Sequence, residues 1–517
     1  MKRIRLTLFV LLGSLFVALA AGAEEGEPDA LELSLDQVVQ QVVRKNPLVR
    51  AARLQYWISR NEAEAERGTF EPALVASYNR SELERENSAL QVLQLFRPDF
   101  WEENDEYALG VEGTFMSGGS YRIGYSLTRM ENIEAVEGQY SAFLGLSVEQ
   151  PLLKGLTHGA PMAALRVALR DRFVAYHSYR KQLIETISLA ESAYWNLALA
   201  QEQHRMTLDS VEIARKLYED SRERVRAGKM TELDLMEAEA ELFVRLTQLA
   251  DTEQNVSDGM VQLKLLLSDP DLPEEQRVMA SDPLIPPGLA LWNREEQRDF
   301  SLTWALRAQP DFMMRNEELV RERIILGFQK DQRLPELNLN GSLGFNGLGD
   351  SLGESMDKIG TFDFPSWSVG LELRVPMFLG VRERNRLEAA ILKGRLAEVR
   401  LQAMEYEILN SIETLLLKVT TLRERVENAR KVVEFRRRML EVELSRLELG
   451  KSNTRLIYEA EEELTEAQRW ELESIAALRE ALMQLAYFRG SVLLDKGFER
   501  IQGEQVVLSE ALLNGAP

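Results

Sequence analysis

The side chains that could do chemistry in this chain are almost all carboxylates and basic groups. The 517 residues include 83 acidic and 62 basic side chains, for a formal net charge of −21, with three histidines and no cysteine. Without cysteine there are no disulfides, thiolate metal sites, cysteine nucleophiles or lipid anchors on an N-terminal cysteine. The three histidines (His158, His177 and His204) leave little for a metal or proton-relay site. The acidic balance argues against nucleic acid as a partner.

The motifs that usually mark catalysis are incomplete in this chain. The glycine-rich stretch 341–349 lacks the Lys-Ser/Thr of a phosphate-binding loop and sits at a strand end, so a plain loop is favoured. The sequence has no HExxH motif, and its single GxSxG match, at 349–353, stands in a chain whose three histidines offer few partners for a nucleophilic serine. We therefore predict that the protein is not an enzyme and uses no cofactor or metal.

The segments that must position these charged side chains occur twice along the sequence. Asn46-Pro47 recurs as Gln309-Pro310, 263 residues later, and Gly228-Lys229 recurs as Gly450-Lys451, 222 residues later. Residues 228–242 match their counterparts at seven of fifteen positions. A match of this density at one register indicates two copies of one structural unit.

Each copy has the order short helix, strands, long helix, turn, short helix. The predicted segments are a signal peptide (1–23), repeat 1 (24–268), a proline-rich linker forming an equatorial belt (269–299), repeat 2 (300–489) and a C-terminal tail (490–517). We predict helix 35–67, strands within 71–150 and helices 161–227 and 232–267 in repeat 1, and helix 300–332, strands within 336–375 and helices 381–449 and 454–489 in repeat 2.

The first 23 residues have the pattern of a cleavable export signal. Lys2, Arg3 and Arg5 precede an apolar stretch that ends in the small residues 21–23. The alternative is an uncleaved membrane anchor. No later stretch is a continuous apolar run of membrane-spanning length, so we expect any other membrane span to be built from strands.

The long helices are predicted to pair side by side. A 67-residue helix over 161–227 is about 100 Å long at 1.5 Å per residue, too long for the core of a compact domain. Apolar residues of the helix 232–267 approximate the heptad seam of a coiled coil. The seam residues are Met236, Phe243, Leu246, Ala250, Met260, Leu263 and Leu267.

Between the helices the apolar residues alternate, which is typical of strands. Six segments of about ten residues fit this pattern, the length of a tilted transmembrane strand. They are 71–80, 107–116, 119–129, 141–150, 336–345 and 368–375. A soluble sandwich is the alternative, but helices of about 100 Å would leave such a sheet uncovered. We therefore interpret these strands as part of an outer-membrane barrel.

The offset between the copies falls from 263 to 225 across the strand region, so repeat 1 contains 38 extra residues. Two strands with their connections account for that number. We predict four strands from repeat 1 and two from repeat 2. The tight turn 117–120 would then face the periplasm, and the polar loops 81–106 and 130–140 would lie outside the cell.

In these features the chain resembles the TolC-type outer-membrane efflux proteins, across nearly all of the sequence after the signal peptide. The resemblance rests on Leu33-Ser34-Leu35, Asn46-Pro47, the junction 150–153 and the paired tips Ala227-Gly228 and Leu449-Gly450. It implies an α+β membrane protein of the cell outer membrane. Long antiparallel coiled-coil helices would form a trimeric periplasmic α-barrel, and the strands would join a shared transmembrane β-barrel.

The same resemblance implies a function and partners. The chain would be a homotrimeric exit duct of a tripartite efflux pump or a type I secretion system. It would bind a periplasmic adaptor, work with an inner-membrane transporter of the RND or ABC class, and contact outer-membrane lipid. Six strands per chain would give 18 in a trimer. If the hairpin 107–129 folded outside the barrel, 12 would remain, as in family members with four strands per chain.

The resemblance also places functional residues at the two helical tips. It implies adaptor docking around Gly228, Lys229, Gly450 and Lys451. Each glycine also has the simpler role of ending a long helix in the left-handed conformation. Family members carry gating and cation-selecting acids six and nine residues past the second tip glycine.

The matching positions here are Leu456 and Glu459 in repeat 2, and Asp234 and Glu237 in repeat 1. A ring of Glu459 carboxylates, one from each copy of the chain, would attract cations and repel anions. Leu456 departs from the family pattern, which has an acid at this position. The alternative role for Glu459 is that of an ordinary solvated residue on a helix face.

The competing function from the sequence is a soluble periplasmic coiled-coil adaptor or scaffold. The aromatic-rich strands argue against it. The transported substrate does not follow from the sequence.

Overall fold

Two compact units make up the chain in the computed structural model. The described residues are 30–132, 138–157, 159–273, 275–288, 293–375, 380–449, 451–502, 505–509 and 512. The helical unit comprises residues 1–53, 180–309 and 407–517, and the sheet unit comprises 54–179 and 310–406. The expected signal peptide 1–23, His158 and Gly450 lie outside the described residues.

Helices and short strands alternate with one group of long strands. The helices are α1 (Leu35–Lys45), α2 (Pro47–Gly68), α3 (Ala89–Leu95), α4 (Ala160–Arg226), α5 (Glu232–Leu267), α6 (Arg294–Ala308), α7 (Pro310–Asp331), α8 (Leu352–Thr361), α9 (Val381–Glu448), α10 (Thr454–Arg489) and α11 (Val492–Asp495). The strands are β1 (Leu31–Leu33), β2 (Ala73–Glu86), β3 (Asp99–Thr114), β4 (Ser120–Asn132), β5 (Gln139–Pro151), β6 (Val278–Ala280), β7 (Glu336–Gly349), β8 (Pro365–Arg374), β9 (Glu499–Gln502) and β10 (Gln505–Leu508).

Both helices that were expected to be continuous, 35–67 and 300–332, are broken at a proline. Asn46 is extended (φ −62°, ψ 125°) between α1 and α2, and Gln309 is extended (φ −68°, ψ 119°) between α6 and α7. A proline clashes with a preceding residue in the α conformation and lacks the N–H that would continue the helix. Pro47 and Pro310 therefore each start a new helix at N1, and α6 begins at Arg294, six residues earlier than expected.

The core of the helical unit lies where α1, α4, α5, α9 and α10 pack together. Its fully buried residues come from all five helices and from β6. They include Val38, Val42, Tyr194, Leu197, Leu263, Leu267, Val278, Val419, Leu478 and Ala481. Pairing along the sides of long helices therefore replaces the compact core of a globular domain.

The expected coiled-coil seam of α5 is covered by the same chain only in its second half. Met236 and Phe243 are 66% and 60% exposed, and the buried residues there are Ala238 and Arg245. The seam is as expected in the second half, where Leu263 is buried. A heptad pattern does not show which of two apolar stripes is covered by the same chain.

The linker 269–299 and the tail contain more regular structure than expected. β1 and β6 form a parallel pair, and the Asp282 carboxylate accepts the Leu35 N–H and the Tyr194 hydroxyl, each at 2.8 Å. Burial of Tyr194 raises its pKa to about 12. In the tail, Glu499 forms a fully buried ion pair with Arg180 (Nε–Oε1 2.6 Å). These long-range polar contacts have no signal in a local sequence pattern.

The sheet unit contains one antiparallel sheet in the order β2-β3-β4-β5-β7-β8. Its six strands come from the six predicted segments, and the hairpin 107–129 lies inside the sheet, with β3 and β4 between β2 and β5. One end of the sheet connects to α2, α4, α7 and α9. The other end carries the connections between β2 and β3, β4 and β5, and β7 and β8.

The hairpin β2–β3 extends well into the segment 81–106 that was expected to be a loop. Its register continues to Glu86 opposite Asp99. Charged and aromatic side chains pair across this extension: Arg80 binds Glu103 and the Trp101 Nε1–H donates to Glu82 (3.1 Å). Cross-strand pairs of this kind stabilise strands that lack apolar alternation, which is why the pattern alone did not reveal them.

We predict that Gly490→Ala destabilises the protein more than Gly228→Ala. Both glycines have positive φ, 73° and 70°, which costs an alanine about 1–2 kcal/mol. A Cβ on Gly490 would also lie 2.7 Å from the backbone of Gln309, whereas one on Gly228 would meet nothing within 4 Å. Forcing that contact adds about 1–3 kcal/mol. Thermal unfolding followed by circular dichroism in detergent measures the difference, and equal melting temperatures would contradict it.

Candidate functional site

The first helical tip is a tight turn between α4 and α5. The Gly228 N–H donates to the Val225 carbonyl (2.9 Å) and the Lys229 N–H donates to the Arg224 carbonyl (2.8 Å). With Gly228 in the left-handed conformation, this is the Schellman arrangement that satisfies the last carbonyls of a helix. Gly228 therefore has a structural role in this turn, and Lys229 follows it as an exposed cation.

Asp234, a candidate gate residue, caps the start of α5. Its carboxylate accepts the Thr231 N–H (3.1 Å) and hydroxyl (2.7 Å), and its own N–H donates to the Thr231 hydroxyl (3.3 Å). This reciprocal capping box satisfies two free N–H groups of the helix. The hydrogen bonds from Thr231 lower the pKa of Asp234. The carboxylate of Asp234 is therefore ionised and committed to its own helix.

The second tip, between α9 and α10, uses the same kind of helix end. The Lys451 N–H donates to the Arg446 carbonyl (2.8 Å), five residues back, as at the first tip. Asn453 caps α10 by accepting the Leu456 N–H (3.0 Å). Leu456, the position where an acid was expected from the family pattern, has a side chain 40% exposed.

Glu459 lies on the exposed face of α10. Its carboxylate pairs with Arg455 one turn earlier (Nε–Oε1 3.0 Å), and the two side chains are 53% and 75% exposed. An exposed pair of this spacing contributes little to stability. The Glu459 carboxylate could therefore bind another group at the small cost of this exposed ion pair.

The two tips line one groove of about 800 Å³. Its acidic residues are Asp234, Glu237, Glu241, Glu459 and Glu462, and its basic residues are Arg224, Lys229 and Arg455. The groove therefore brings Asp234, Glu237 and Glu459 together with Lys229. With five acids against three bases, its lining is net negative.

A buried ionic network beside this groove was missed from the sequence. Arg245 of α5 pairs with Glu461 of α10 (3.1 Å) and with Glu241 (2.9 Å), and the side chains of Arg245 and Glu461 are each 5% exposed. Ser210 of α4 donates to the same Glu461 carboxylate. The only signal in the sequence is an arginine interrupting an apolar stretch. The network joins three helices at one buried point.

The sheet presents one apolar face, because its register aligns apolar residues across all six strands. One such row contains Leu74, Val111, Ile123, Leu146, Leu343 and Trp367. Leu74 and Trp367 are 75% and 74% exposed. From Leu337 to Phe345 this face spans about 27 Å along β7, at about 3.4 Å per residue.

The opposite face of the sheet is polar and rich in small residues. One row contains Ala73, Glu112, Arg122, Ser147, Ser342 and Ser368. The next contains Val75, Gly110, Gly124, Gly145, Gly344 and Ser366. A groove of about 710 Å³ on this face is lined by Glu112, Arg122 and several serines. The sheet thus has one polar face that is compatible with water and one apolar face that is not.

The helices do not share this apolar character. No helix among the described residues has an apolar, nearly uncharged stretch long enough to cross a bilayer. The apolar face of the sheet has the height of the apolar band of outer-membrane strands, about 25 Å. An apolar sheet face of that height, joined to long charged helices, is typical of an outer-membrane protein.

The comparisons with known proteins identify the family. The family model of the outer membrane efflux proteins matches residues 38–268 and 305–491. The chain belongs to this family, so the resemblance drawn from the sequence is confirmed. Over 238 residues it is 28% identical to Protein CyaE of Bordetella pertussis (strain Tohama I), a match of 45% of this chain and 46% of that protein. The chain thus matches about half the length of this relative.

Solved structures show the same fold. The CmeC outer membrane channel of Campylobacter jejuni has a TM-score of 0.60 and 18% identity, with 91% of this chain and 87% of that chain covered. The MtrE outer membrane channel of Neisseria gonorrhoeae, in its open state, has a TM-score of 0.61 and 16% identity, with 88% of each chain covered. At these identities the similarity is one of fold.

We predict that Glu461→Ala strongly destabilises the helical unit. Its loss leaves the buried Arg245 guanidinium with the Glu241 carboxylate and the Gln248 amide oxygen, and breaking a buried ion pair costs about 3–5 kcal/mol. Glu463→Ala is the matched control, since Glu463 sits on the same helix and pairs with Arg436 at the surface, where such pairs contribute at most about 1 kcal/mol. Denaturant unfolding followed by helical circular dichroism compares them. Equal unfolding midpoints would show that the network does not stabilise the helices.

We predict that acid loosens the start of α5 through Asp234. Because its pKa is lowered in the folded chain, the stabilisation is complete above the ordinary aspartate pKa and is lost as pH falls through the lowered value. Hydrogen exchange at residues 231–235 should therefore show protection that falls in acid. Asp234→Asn should remove this pH dependence. A variant that kept the full dependence would assign the titration to another group.

Proposed function

We propose that the protein is the outer-membrane exit duct of an export system and works as a homotrimer. Its strands would share one transmembrane barrel, and its helices would form a hollow periplasmic tunnel. The observation that carries this proposal is the exposed apolar face that runs across all six strands, together with the two open sheet edges at β2 and β8.

The open edges argue for a shared barrel. Each edge strand presents unpaired N–H and C=O groups, which cannot be left unsatisfied in a hydrocarbon environment. Six strands are too few to enclose a channel. Pairing β8 of one copy with β2 of the next satisfies both edges, and three copies give 18 strands with the polar face lining the interior.

Exposed apolar side chains on the helices argue for association of copies there as well. Leu233, Met236 and Phe243 of α5 are 60–66% exposed, and Tyr406 of α9 is 67% exposed. Monomeric proteins rarely expose several large apolar side chains close together, as α5 does. In a trimer, neighbouring copies would cover these residues, which explains why the expected seam of α5 is exposed within one chain.

The tips would have two roles in this duct. The turns around Gly228, Lys229 and Lys451 would dock the periplasmic adaptor, and Gly450 belongs to the same docking site by its sequence position. The net negative groove that contains Glu237 and Glu459 would be repeated three times around the tunnel entrance. Three such sets of carboxylates would favour cations.

The partners and location follow from the same assignment. The trimer would connect through the adaptor to an inner-membrane transporter of the RND or ABC class, as part of a tripartite pump or a type I secretion system. A signal peptide over residues 1–23 would export the chain, and with no cysteine it would carry no lipid anchor. The competing soluble scaffold is disfavoured, because its sheet would expose the apolar face to water.

Planar-bilayer recording tests the duct and the gate together. We expect the detergent-extracted protein to form cation-preferring channels, and Glu459→Gln to lower the cation-to-anion permeability ratio. The variant removes three carboxylates from the trimer and leaves three Arg455 side chains unpaired. Glu463→Gln is the control, because that carboxylate lies on α10 but does not line the groove. It should leave the ratio unchanged.

The outcomes separate the two parts of the proposal. A protein that stays in solution without detergent and forms no channel would overturn the duct and favour the scaffold. Channels whose selectivity responds equally to the two variants would keep the duct and reject Glu459 as a selectivity residue.

A further inference from the structure

We infer that α8, in the connection between β7 and β8, is an interfacial helix that rests on the outer leaflet of the membrane. This inference rests on the proposed outer-membrane location. The part of the membrane that α8 contacts would be the boundary between the lipid acyl chains and the headgroups. The contact would be made by Leu352 and Met356 on the helix and by Phe362 and Phe364 after it.

α8 packs on the apolar face of the sheet and not on the polar one. Ile359 is buried in a cluster with Leu127 and Ala142, which lie in the same row of that face as Gly347. A Cβ on Gly347 would overlap the Ser355 carbonyl. The glycine is therefore the reason why the helix can lie directly against β7. Because the apolar face is the one proposed to contact lipid, the helix lies outside the channel.

The two flanks of α8 differ in chemistry. Ser355 and Ile359 form the line buried against the sheet. At 100° per residue, Leu352 and Met356 lie on one side of this line, and Glu354 and Lys358 lie on the other. The apolar flank is exposed, with Leu352 at 45% and Met356 at 50%. The charged flank is internally paired, since Lys358 binds Glu354 at 2.8 Å.

Contacts with β7 show which flank points toward the apolar band. On the charged flank, the Lys358 amine donates to the Leu348 carbonyl (2.6 Å) and Glu354 accepts the Asp350 N–H (3.3 Å). These contacts are at the end of β7 farthest from the long helices. The Phe362 ring instead meets Phe345, farther down the strand (ring centroids 4.7 Å). The charged flank therefore faces away from the band and the apolar flank faces toward it.

A lipid surface fits this flank better than a second copy of the chain. α8 packs on β7 and β5, whereas a neighbouring copy would join the sheet at the open edge of β8, on the other side of β7. The exposed side chains of Leu352 and Met356 continue the apolar face of the sheet at the end farthest from the long helices. Apolar residues on one flank and paired charges on the other are the pattern of helices that lie in the membrane interface.

Single-cysteine spin labelling tests this inference, because the chain has no native cysteine to remove. We would label Met356→Cys in the full-length protein, reconstituted into vesicles of phosphatidylethanolamine and phosphatidylglycerol. The measurement is the accessibility of the label to oxygen, which partitions into lipid, relative to a water-soluble nickel chelate. Ile123→Cys on the apolar face is the lipid reference. Asp357→Cys, on the side of α8 opposite its buried line, is the water reference.

We expect the oxygen-to-nickel ratio at Met356 to exceed the ratio at Asp357 several-fold and to approach the ratio at Ile123. A low ratio at Met356, equal to that at Asp357 and far below that at Ile123, would place the flank in water and overturn the inference. An immobile label that neither reagent reaches would show cover by protein and also overturn it. A nickel-accessible label at Ile123 would instead remove the proposed membrane location. Leu352→Cys, on the same flank, replaces Met356→Cys if that variant does not fold.

Discussion

The register of the six-stranded sheet is the constraint on which the other features of this protein depend. Side chains alternate between the faces of a sheet, so a slip of one residue in any strand would move its apolar residues to the polar face. The observed pairing places Leu74, Ile123 and Trp367 in one row of a single face. That face cannot be left in water, and the open edges at β2 and β8 cannot be left in lipid. The membrane insertion and the association of copies proposed for this protein would therefore be two consequences of one register.

A different device positions the helical tips. The buried network around Arg245 and Glu461 joins α4, α5 and α10 beside the groove. Buried ion pairs add little net stability compared with apolar packing, but removing one partner is costly. Such a network restricts how the helices can shift against each other, because most displacements would leave a charge unpaired. The exposed acids of the groove can then vary without loss of the helix arrangement.

Local sequence patterns predicted the elements whose signal lies within a few residues. Alternation gave the strands, the tip glycines gave the ends of the long helices, and the offset between the copies correctly placed four strands before the linker and two after it. The charged part of the β2–β3 hairpin, the ion pair of Arg180 with Glu499, and the covered stripe of α5 were not predicted. Each depends on a partner distant in sequence, and a pattern in one segment does not identify that partner.

The candidate gate residues illustrate the same limit at the level of single side chains. By position alone Asp234, Glu237 and Glu459 are equal candidates, since Asp234 lies six residues past a tip glycine and the other two lie nine residues past one. The structure separates them by what their carboxylates already bind. Asp234 is held by Thr231 in a capping box, so its charge compensates the helix start and is less available to a passing ion. Glu459 has only the exposed Arg455 beside it, and solvent weakens that pair. Of these two residues, Glu459 can change its partner at small cost, which a selectivity residue requires.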